Sequence, residues 1–137
     1  MSLIHINRHL VKKIESIAIH QFPEECCGFI WGQDNEIVFA KEVRNASFKD
    51  RNESFEISHT DYLFAEEFAV KNRLSLLGVF HSHPNEPAEP SAEDLKFAMP
   101  NFINIIVSVN RQKLTEMRAW QRSEDYEELK ELNLKIK

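Results

Sequence analysis

The sequence lacks the features that mark membrane proteins, secreted proteins and nucleic-acid binders. None of its apolar runs reaches about 18 residues, the length that a membrane-spanning helix needs. Its first residues lack the continuous apolar region of a secretory signal. Lys and Arg number 17 against 22 Asp and Glu, so the net charge is −5 and no basic excess is available to replace counterions on nucleic acid. We therefore predict a cytoplasmic protein that contacts neither membrane nor nucleic acid.

Cysteine and glycine are also scarce. The two cysteines, Cys26 and Cys27, are neighbours, and neighbouring residues on a strand point to opposite faces, so a disulfide between them would be strained. Their apolar context, without a Cys-x-x-Cys pair, predicts buried and inert thiols in a reducing compartment. Each of the three glycines is expected to mark a constrained backbone position.

The composition that remains is that of an ordinary globular protein. Hydrophobic residues make up 42% of the chain and charged residues 28%, which argues against disorder. A chain of 137 residues fits one domain and can bury a core without disulfide or metal staples. We therefore expect residues 1–137 to form a single domain.

The spacing of apolar residues predicts helices and strands in mixed order. A first helix begins after the cap residue Asn7 and ends before Pro23, and a second begins at the cap residue Thr60. The inner face of the second helix is predicted to contain Leu63, Phe64, Phe68 and Ala69. Strands are predicted over 26–32, 37–43, 55–57, 74–83, 102–109 and 114–120.

The remaining segments complete the prediction. Residues 44–54 are polar and form a loop, which is either a flap over a site or a plain surface loop. The charged tail from Ser123 is compatible with a helix, an edge strand or a frayed end. This order of elements predicts an α+β fold with a mixed β-sheet flanked by helices.

One segment carries residues suited to chemistry. Residues two apart on a strand face the same side, so His81 and His83 are expected to direct their imidazoles into one space at the end of a central strand. Asp94 falls in the first turn of the next helix, three residues after its cap residue Ser91. A proline-rich loop between them can fold that turn back over the histidines. Two histidines and a carboxylate around an open fourth position form a catalytic zinc arrangement.

Each part of this segment also has a purely structural explanation. A lone His-x-His on a strand is usually two half-exposed histidines, and Ser-x-x-Asp before a helix is by itself a capping signature. The two patterns together, at fixed spacing with prolines between them, favour the metal site.

These motifs resemble those of a known family. The run 81–84 (His-Ser-His-Pro), followed after a short loop by the run 91–94 (Ser-Ala-Glu-Asp), is similar to the motif of the JAMM (MPN-plus) metallopeptidases. That motif also requires a glutamate ahead of a glycine-containing strand, and the run 25–28 (Glu-Cys-Cys-Gly) stands in that place. The resemblance extends over the whole chain. It implies a compact, prokaryotic or phage-type member with the MPN/JAMM (cytidine-deaminase-like) architecture.

The resemblance also assigns roles to residues. It makes His81, His83 and Asp94 the ligands of a Zn²⁺ cofactor, and Glu25 the general base that takes a proton from zinc-bound water and passes it to the leaving amine. It makes Ser91 the donor of a hydrogen bond to the oxyanion.

The neighbouring acid, Glu24, is the one ambiguity in this assignment. The family places its glutamate three residues before the glycine, which selects Glu25. Glu24 is predicted to be a solvated acid at the start of the strand.

The activity implied by the resemblance is zinc-dependent hydrolysis of a peptide or isopeptide bond. The substrate would be the C-terminal tail of a ubiquitin-like or sulfur-carrier protein, added as a strand along an exposed sheet edge. The alternative is a phage tail-assembly or scaffold module that retains a metal site. The presence of Glu25 and Ser91 favours the enzyme, because a structural zinc site needs neither a base nor an oxyanion donor.

Overall fold

The computed structural model describes residues 3–125 and 127–137, and these contain seven strands and three helices. None of the helices in this part of the chain has the length and apolar character needed to cross a membrane. The elements are β1 (Leu3–Ile6), α1 (Arg8–Gln21), β2 (Cys27–Gln33), β3 (Glu36–Val43), α2 (His59–Asn72), β4 (Ser75–Pro84), α3 (Ala92–Phe97), β5 (Ile103–Val109), β6 (Leu114–Arg122) and β7 (Leu129–Ile136).

The strands form one mixed sheet that closes on itself. Their order is β1-β3-β2-β4-β5-β6-β7, and β1 pairs in parallel with both β3 and β7, which closes the ring. The central pair β4 and β5 is also parallel, and the other neighbours are antiparallel. The predicted mixed sheet with helices is therefore correct. Each of these seven strands has a neighbour on both sides, but β1 pairs with β3 only at Glu36 and Ile37, so residues 38–43 of β3 have no strand partner on that side among the described residues.

Helices cover both faces of the sheet. On β2, Ile30 packs in the cluster that contains α1, whereas Phe29 and Trp31 pack in the cluster that contains α2. Side chains on a strand alternate between faces, so a strand covered on both sides is apolar throughout. This explains why six consecutive residues of β2 are buried.

The glycines lie where strands approach each other closely, as predicted. A Cβ atom on Gly78 of β4 would stand 1.9 Å from the carbonyl oxygen of Ile103 on β5. A Cβ atom would clash at this distance, so only glycine lets the two backbones pack as closely as they do.

Two local predictions around residue 57 are wrong. Residues 55–57 are not a strand in the structure, because the backbone of Glu56 bonds only to a loop: its N–H donates to Asn45 Oδ1 and its carbonyl accepts from Ala46. The cap of α2 is Ser58 rather than Thr60, and its hydroxyl oxygen accepts a hydrogen bond from the Asp61 N–H at 3.1 Å.

The inner face of α2 was also predicted only in part. Ala69 is buried and Phe68 packs against the core, but Leu63 and Phe64 are 48% and 43% exposed. The helix instead faces β2 with Ala65, which is buried. The Ala65 carbonyl accepts a hydrogen bond from the indole N–H of Trp31 at 3.0 Å. Small residues at this position let the helix approach the bulky side chains of β2.

Candidate metal centre

Strand β4 brings two histidines to the α2 side of the sheet. His81 and His83 follow Val79 on the same face, both are buried, and their Nε2 atoms are 3.0 Å apart. Ser82, between them, faces the other way. Its N–H donates to the carbonyl of Cys26 at 3.1 Å and its Oγ accepts the Cys26 N–H at 2.8 Å. The serine therefore fixes the residues that precede β2 beside the histidines.

The first turn of α3 adds a carboxylate to the same space. Asp94 Oδ2 lies 3.1 Å from His83 Nε2 and 3.3 Å from His81 Nε2. A capping box orients this side chain: Ser91 Oγ accepts the Asp94 N–H at 3.0 Å, and Asp94 Oδ2 accepts the Ser91 N–H at 2.9 Å. The capping pattern recognised in the sequence thus places the acid on the histidines.

Glu25 completes the cluster from the start of β2. It is 6% exposed, and its carboxylate shares a space with His81 and His83 in which the ligating atoms lie within 4.8 Å of one another. Its backbone is fixed by the loop 44–54, since its N–H donates to the Arg51 carbonyl at 2.7 Å. Glu24, by contrast, has a side chain that is 40% exposed and pairs with Arg51. Of the two acids, Glu25 is therefore the buried one in the cluster and Glu24 the exposed one outside it.

The four titratable groups of the cluster have unequal proton affinities. Burial raises the pKa of Glu25 to about 8 and lowers the pKa of His81. Burial also acts on Asp94 and would raise its pKa, but the charge of His81 and hydrogen bonds from both histidines hold that pKa well below its usual range. For His83, burial is outweighed by the hydrogen bonds to Asp94 and Pro87, so the pKa is raised. The site therefore combines an ionised carboxylate with a carboxyl that titrates near neutrality.

The donor atoms fit a divalent metal ion. A tetrahedral zinc with bonds of about 2.0–2.1 Å holds its ligand atoms roughly 3.3 Å apart. His81 Nε2 and His83 Nε2 are 3.0 Å apart, and Asp94 Oδ2 lies 3.1 Å from His83 Nε2 and 3.3 Å from His81 Nε2. Nδ1 of His83 lies 2.9 Å from the Pro87 carbonyl, so it carries the proton and Nε2 is left to bind. Oε1 of Glu25 is buried without a hydrogen-bond partner among the described residues, which leaves an acceptor facing the same space.

Two contacts of the site were not predicted. The ring of Phe55 stacks on His81, with centroids 4.2 Å apart and planes 22° apart. The Pro87 carbonyl holds His83, although the sequence indicates only that the loop contains prolines. No side-chain pattern reports a backbone carbonyl, and the alternation at Phe55 was interpreted as a strand.

The cysteines lie next to the site but outside its chemistry. Cys26 and Cys27 are free and buried. Burial raises the pKa of Cys26 to about 12 and also raises that of Cys27. Both thiols are therefore protonated and poor nucleophiles near neutral pH, as predicted.

An apolar cavity opens onto two side chains of the cluster. It has a volume of about 480 Å³ and reaches His81 and Asp94. Its apolar walls come from the loop before α2, the end of α3 and the residues that follow α3, including Phe55, Phe97 and Phe102. A polypeptide side chain fits a space of this size and character.

Comparisons with known proteins point to one family. Residues 7–123 match the model of the family described as prokaryotic homologs of the JAB domain. A desampylase of Pyrococcus furiosus is 32% identical over 120 residues, which covers 88% of this chain and 79% of that protein. The tail tip assembly protein K of Escherichia phage N15 is 31% identical over 86 residues, which covers 61% of this chain and only 32% of the phage protein.

A solved structure shows the same fold. A protein from Desulfitobacterium hafniense, determined in solution, superposes with a TM-score of 0.84 at 26% identity, and the match covers 98% of this chain and 92% of that one. The barrel and its helices are therefore shared over nearly their full length.

Proposed function

The chain belongs to the family of prokaryotic homologs of the JAB domain, and on that premise we propose that it is a zinc-dependent hydrolase of peptide or isopeptide bonds. The likeness to a desampylase supports a hydrolase of the JAMM type. The observation that supports the proposal is that the ligating atoms of His81, His83 and Asp94 lie 3.0–3.3 Å from one another. The buried Glu25 lies beside them. In this proposal residues 1–137 act as one metallopeptidase domain in the cytoplasm.

The metal would be held by His81, His83 and Asp94. When bound, a zinc ion acts as a Lewis acid and lowers the pKa of water toward neutrality. The hydrogen bond from His83 Nδ1 to Pro87 fixes the ring orientation, and the bond from the Ser91 N–H fixes the carboxylate. Three protein ligands leave a position open, as catalytic sites require.

Glu25 is suited to move the proton. A general base works best when its pKa lies near the pH of the reaction, and burial raises the pKa of this carboxyl to about 8. The carboxylate lies next to the histidines and has one oxygen without a partner among the described residues. Glu25 would take the proton of the attacking water and deliver it to the leaving amine.

Ser91 is suited to stabilise the developing oxyanion. Its Oγ already accepts the Asp94 N–H at 3.0 Å, so its hydroxyl proton remains available for donation. A donor held in place before the reaction stabilises negative charge without reorganisation.

The substrate we propose is the C-terminal tail of a ubiquitin-like or sulfur-carrier protein. Residues 38–43 of β3 have no strand partner on the β1 side among the described residues, so this stretch is the edge to which the tail would add as a strand. The cavity beside His81 offers an apolar space next to the proposed metal. The similarity to a desampylase supports a protein substrate.

A second candidate function is an assembly module of a phage tail. The match to the tail tip assembly protein favours it, although the chain spans about a third of that protein. An assembly module that kept the site for structure alone would not need a buried glutamate with an oxygen that has no partner in the described part of the chain.

Hydrolysis of a protein with a C-terminal tail fusion, by the zinc-loaded chain, tests the proposal. We expect cleavage by wild type and its loss in Glu25→Gln. Glu24→Gln is the matched control, because it removes the neighbouring but exposed carboxylate. Equal cleavage by wild type and Glu25→Gln would remove the mechanism, and no cleavage by wild type would favour the assembly module.

A further inference from the structure

Strand β6 presents a row of side chains to the segment that carries two of the proposed metal ligands. Glu116, Trp120 and Arg122 lie on one face of the strand, since residues two apart share a face. We propose that these three residues are positioning residues, which hold His83 and Asp94 in their metal-binding geometry. The inference rests on the proposed metal site and adds residues outside its motifs.

The first two residues hold the backbone of a single residue, Ala88, in the proline-rich loop. Glu116 Oε1 accepts the N–H of Ala88 at 3.0 Å, and the indole N–H of Trp120 donates to the carbonyl of Ala88 at 3.0 Å. Ala88 is fully buried, so its backbone groups have to be satisfied by the protein. Loop and strand are therefore joined at both polar groups of one residue.

This anchored residue directly follows the carbonyl that orients His83. The Pro87 carbonyl accepts from His83 Nδ1 at 2.9 Å, and the peptide bond joins it rigidly to the N–H that Glu116 holds. An orienting acceptor on a metal-binding histidine fixes both the ring position and the tautomer. A loop that drifts from β6 would carry this acceptor away from the ring.

Arg122 acts at the far end of the segment. Its Nη1 donates to the carbonyls of Leu95 and Ala98, each at 2.7 Å, where the last turn of α3 has unsatisfied acceptors. None of the six residues of α3 is buried, so apolar packing does little to hold this helix. The guanidinium therefore fixes the end of the helix whose first turn contains Asp94.

The fourth residue of the row differs. Arg118 reaches the loop only through Glu89, at 3.4 Å and in an exposed position, while Glu131 holds the guanidinium at 2.8 Å. An exposed ion pair of this kind contributes little. The positioning contacts are thus those of Glu116, Trp120 and Arg122.

The competing explanation is that these contacts only stabilise the fold. Glu15 provides a matched control, because its Oε2 accepts the N–H of Leu114 at 2.9 Å. Like Glu116, it is a carboxylate that accepts one backbone N–H, in this case that of the first residue of β6, but it lies on α1 rather than beside the proline-rich loop. Loss of either carboxylate removes the same kind of bond.

Zinc affinity of the purified chain, measured by competition with a chelator, tests the proposal. We expect Glu116→Ala, Trp120→Phe and Arg122→Gln each to weaken zinc binding, with an upper bound of about 10–100-fold, the effect of losing the direct outer partner of a ligand. Glu116→Gln keeps an acceptor oxygen and should restore the affinity, and Glu15→Ala should leave it unchanged. Urea unfolding of the metal-free variants measures the loss of stability separately.

Two results would overturn the positioning role. One is wild-type affinity in all three variants, and the other is an equal loss in Glu15→Ala. If wild type itself binds no zinc, the proposed metal site fails, yet the positioning role is still tested in the metal-free protein by NMR. The hydrogen-bonded Nδ1 proton of His83 should be visible in wild type and Glu15→Ala and exchange rapidly in Glu116→Ala. Its persistence in Glu116→Ala would then contradict the inference.

Discussion

The carboxylate of Asp94 lies 3.1 Å from Nε2 of His83, although eleven residues separate them along the chain. Two unlike elements create this contact, a central strand and the first turn of a short helix. The loop between them is held at the Pro87 carbonyl, and the helix start is held by its own capping box. The proposed site therefore depends on backbone placement as much as on side-chain identity.

The ligand set predicts the metal content of the purified protein. Wild type should carry one zinc per chain, and His81→Ala or Asp94→Ala should abolish it, because two remaining ligands do not hold zinc in a closed site. Elemental analysis of the dialysed protein measures this directly. His9→Ala removes an exposed histidine on α1 and serves as the control. Stoichiometric zinc in both site variants would place the metal elsewhere.

Glu25 predicts a pH dependence of the stability of the metal-free protein. The ordinary pKa of this carboxyl is 4.5, and burial raises it to about 8 in the folded state. Between these values the folded protein holds a proton that the unfolded chain has released. The contribution of Glu25 to the free energy of unfolding is therefore fully present below pH 4.5 and is lost as the pH rises through about 8.

Urea unfolding of wild type and Glu25→Gln after chelation measures this effect. The difference in free energy of unfolding, wild type minus variant, should fall with rising pH by at most about 1.4 kcal/mol per pH unit. Glu24→Gln controls for the loss of one carboxylate at the surface. A difference that stays constant with pH would show that Glu25 is solvated in the folded protein.

Ser91 is predicted to affect both stability and catalysis. Ser91→Ala removes the cap of α3, which costs about 1 kcal/mol, and removes the proposed oxyanion donor, which lowers kcat by about 10²-fold. Ser91→Thr keeps a hydroxyl and should restore most of both. Thermal unfolding and turnover of the same preparations separate the two effects. A kcat that follows only the loss of stability would leave Ser91 as a cap alone.

A substitution at Gly78, which is not a residue of the proposed site, is predicted to prevent folding. Gly78→Ala places a Cβ atom 1.9 Å from the Ile103 carbonyl oxygen, so the pairing of β4 with β5 must open. Since β4 carries both histidines, we expect loss of soluble folded protein, measured by circular dichroism and expression yield. Leu76→Ala, a change on the same strand, should cost far less because Leu76 is only partly buried. Normal folding of Gly78→Ala would contradict the described strand pairing.

The site was more predictable than the strand that closes the fold. His81 and His83 stand at strand spacing, and Asp94 stands at capping distance from Ser91, so local rules bring each toward the cluster. Strand β1 has only four residues, and its partner β7 lies at the opposite end of the sequence. Pairing between such distant segments leaves no local pattern in the sequence. For this reason the sequence does not decide whether the tail from Ser123 is a helix, an edge strand or a frayed end.

The errors around α2 have a related cause. Ser58 and Thr60 are both good caps, and the choice between them follows from which residue the preceding loop delivers to the helix start. The exposure of Leu63 and Phe64 follows from the hydrogen bond that the indole of Trp31 makes to the helix. The anchors on β6 escape the sequence for the same reason, since Glu116 and Trp120 bond to backbone groups of Ala88.

A helix none of whose residues is fully buried opens more easily than the barrel beneath it. Amide protons of α3 should exchange with solvent through local opening, whereas those of β5, buried along its whole length, should need global unfolding. One proposed ligand thus lies on this helix, and the other two lie on β4, the central strand that pairs with β5. The observed dissociation constant for a metal then equals the intrinsic constant divided by the docked fraction of α3. Substitutions that change the docked fraction of α3 would therefore change the metal affinity without altering any ligand.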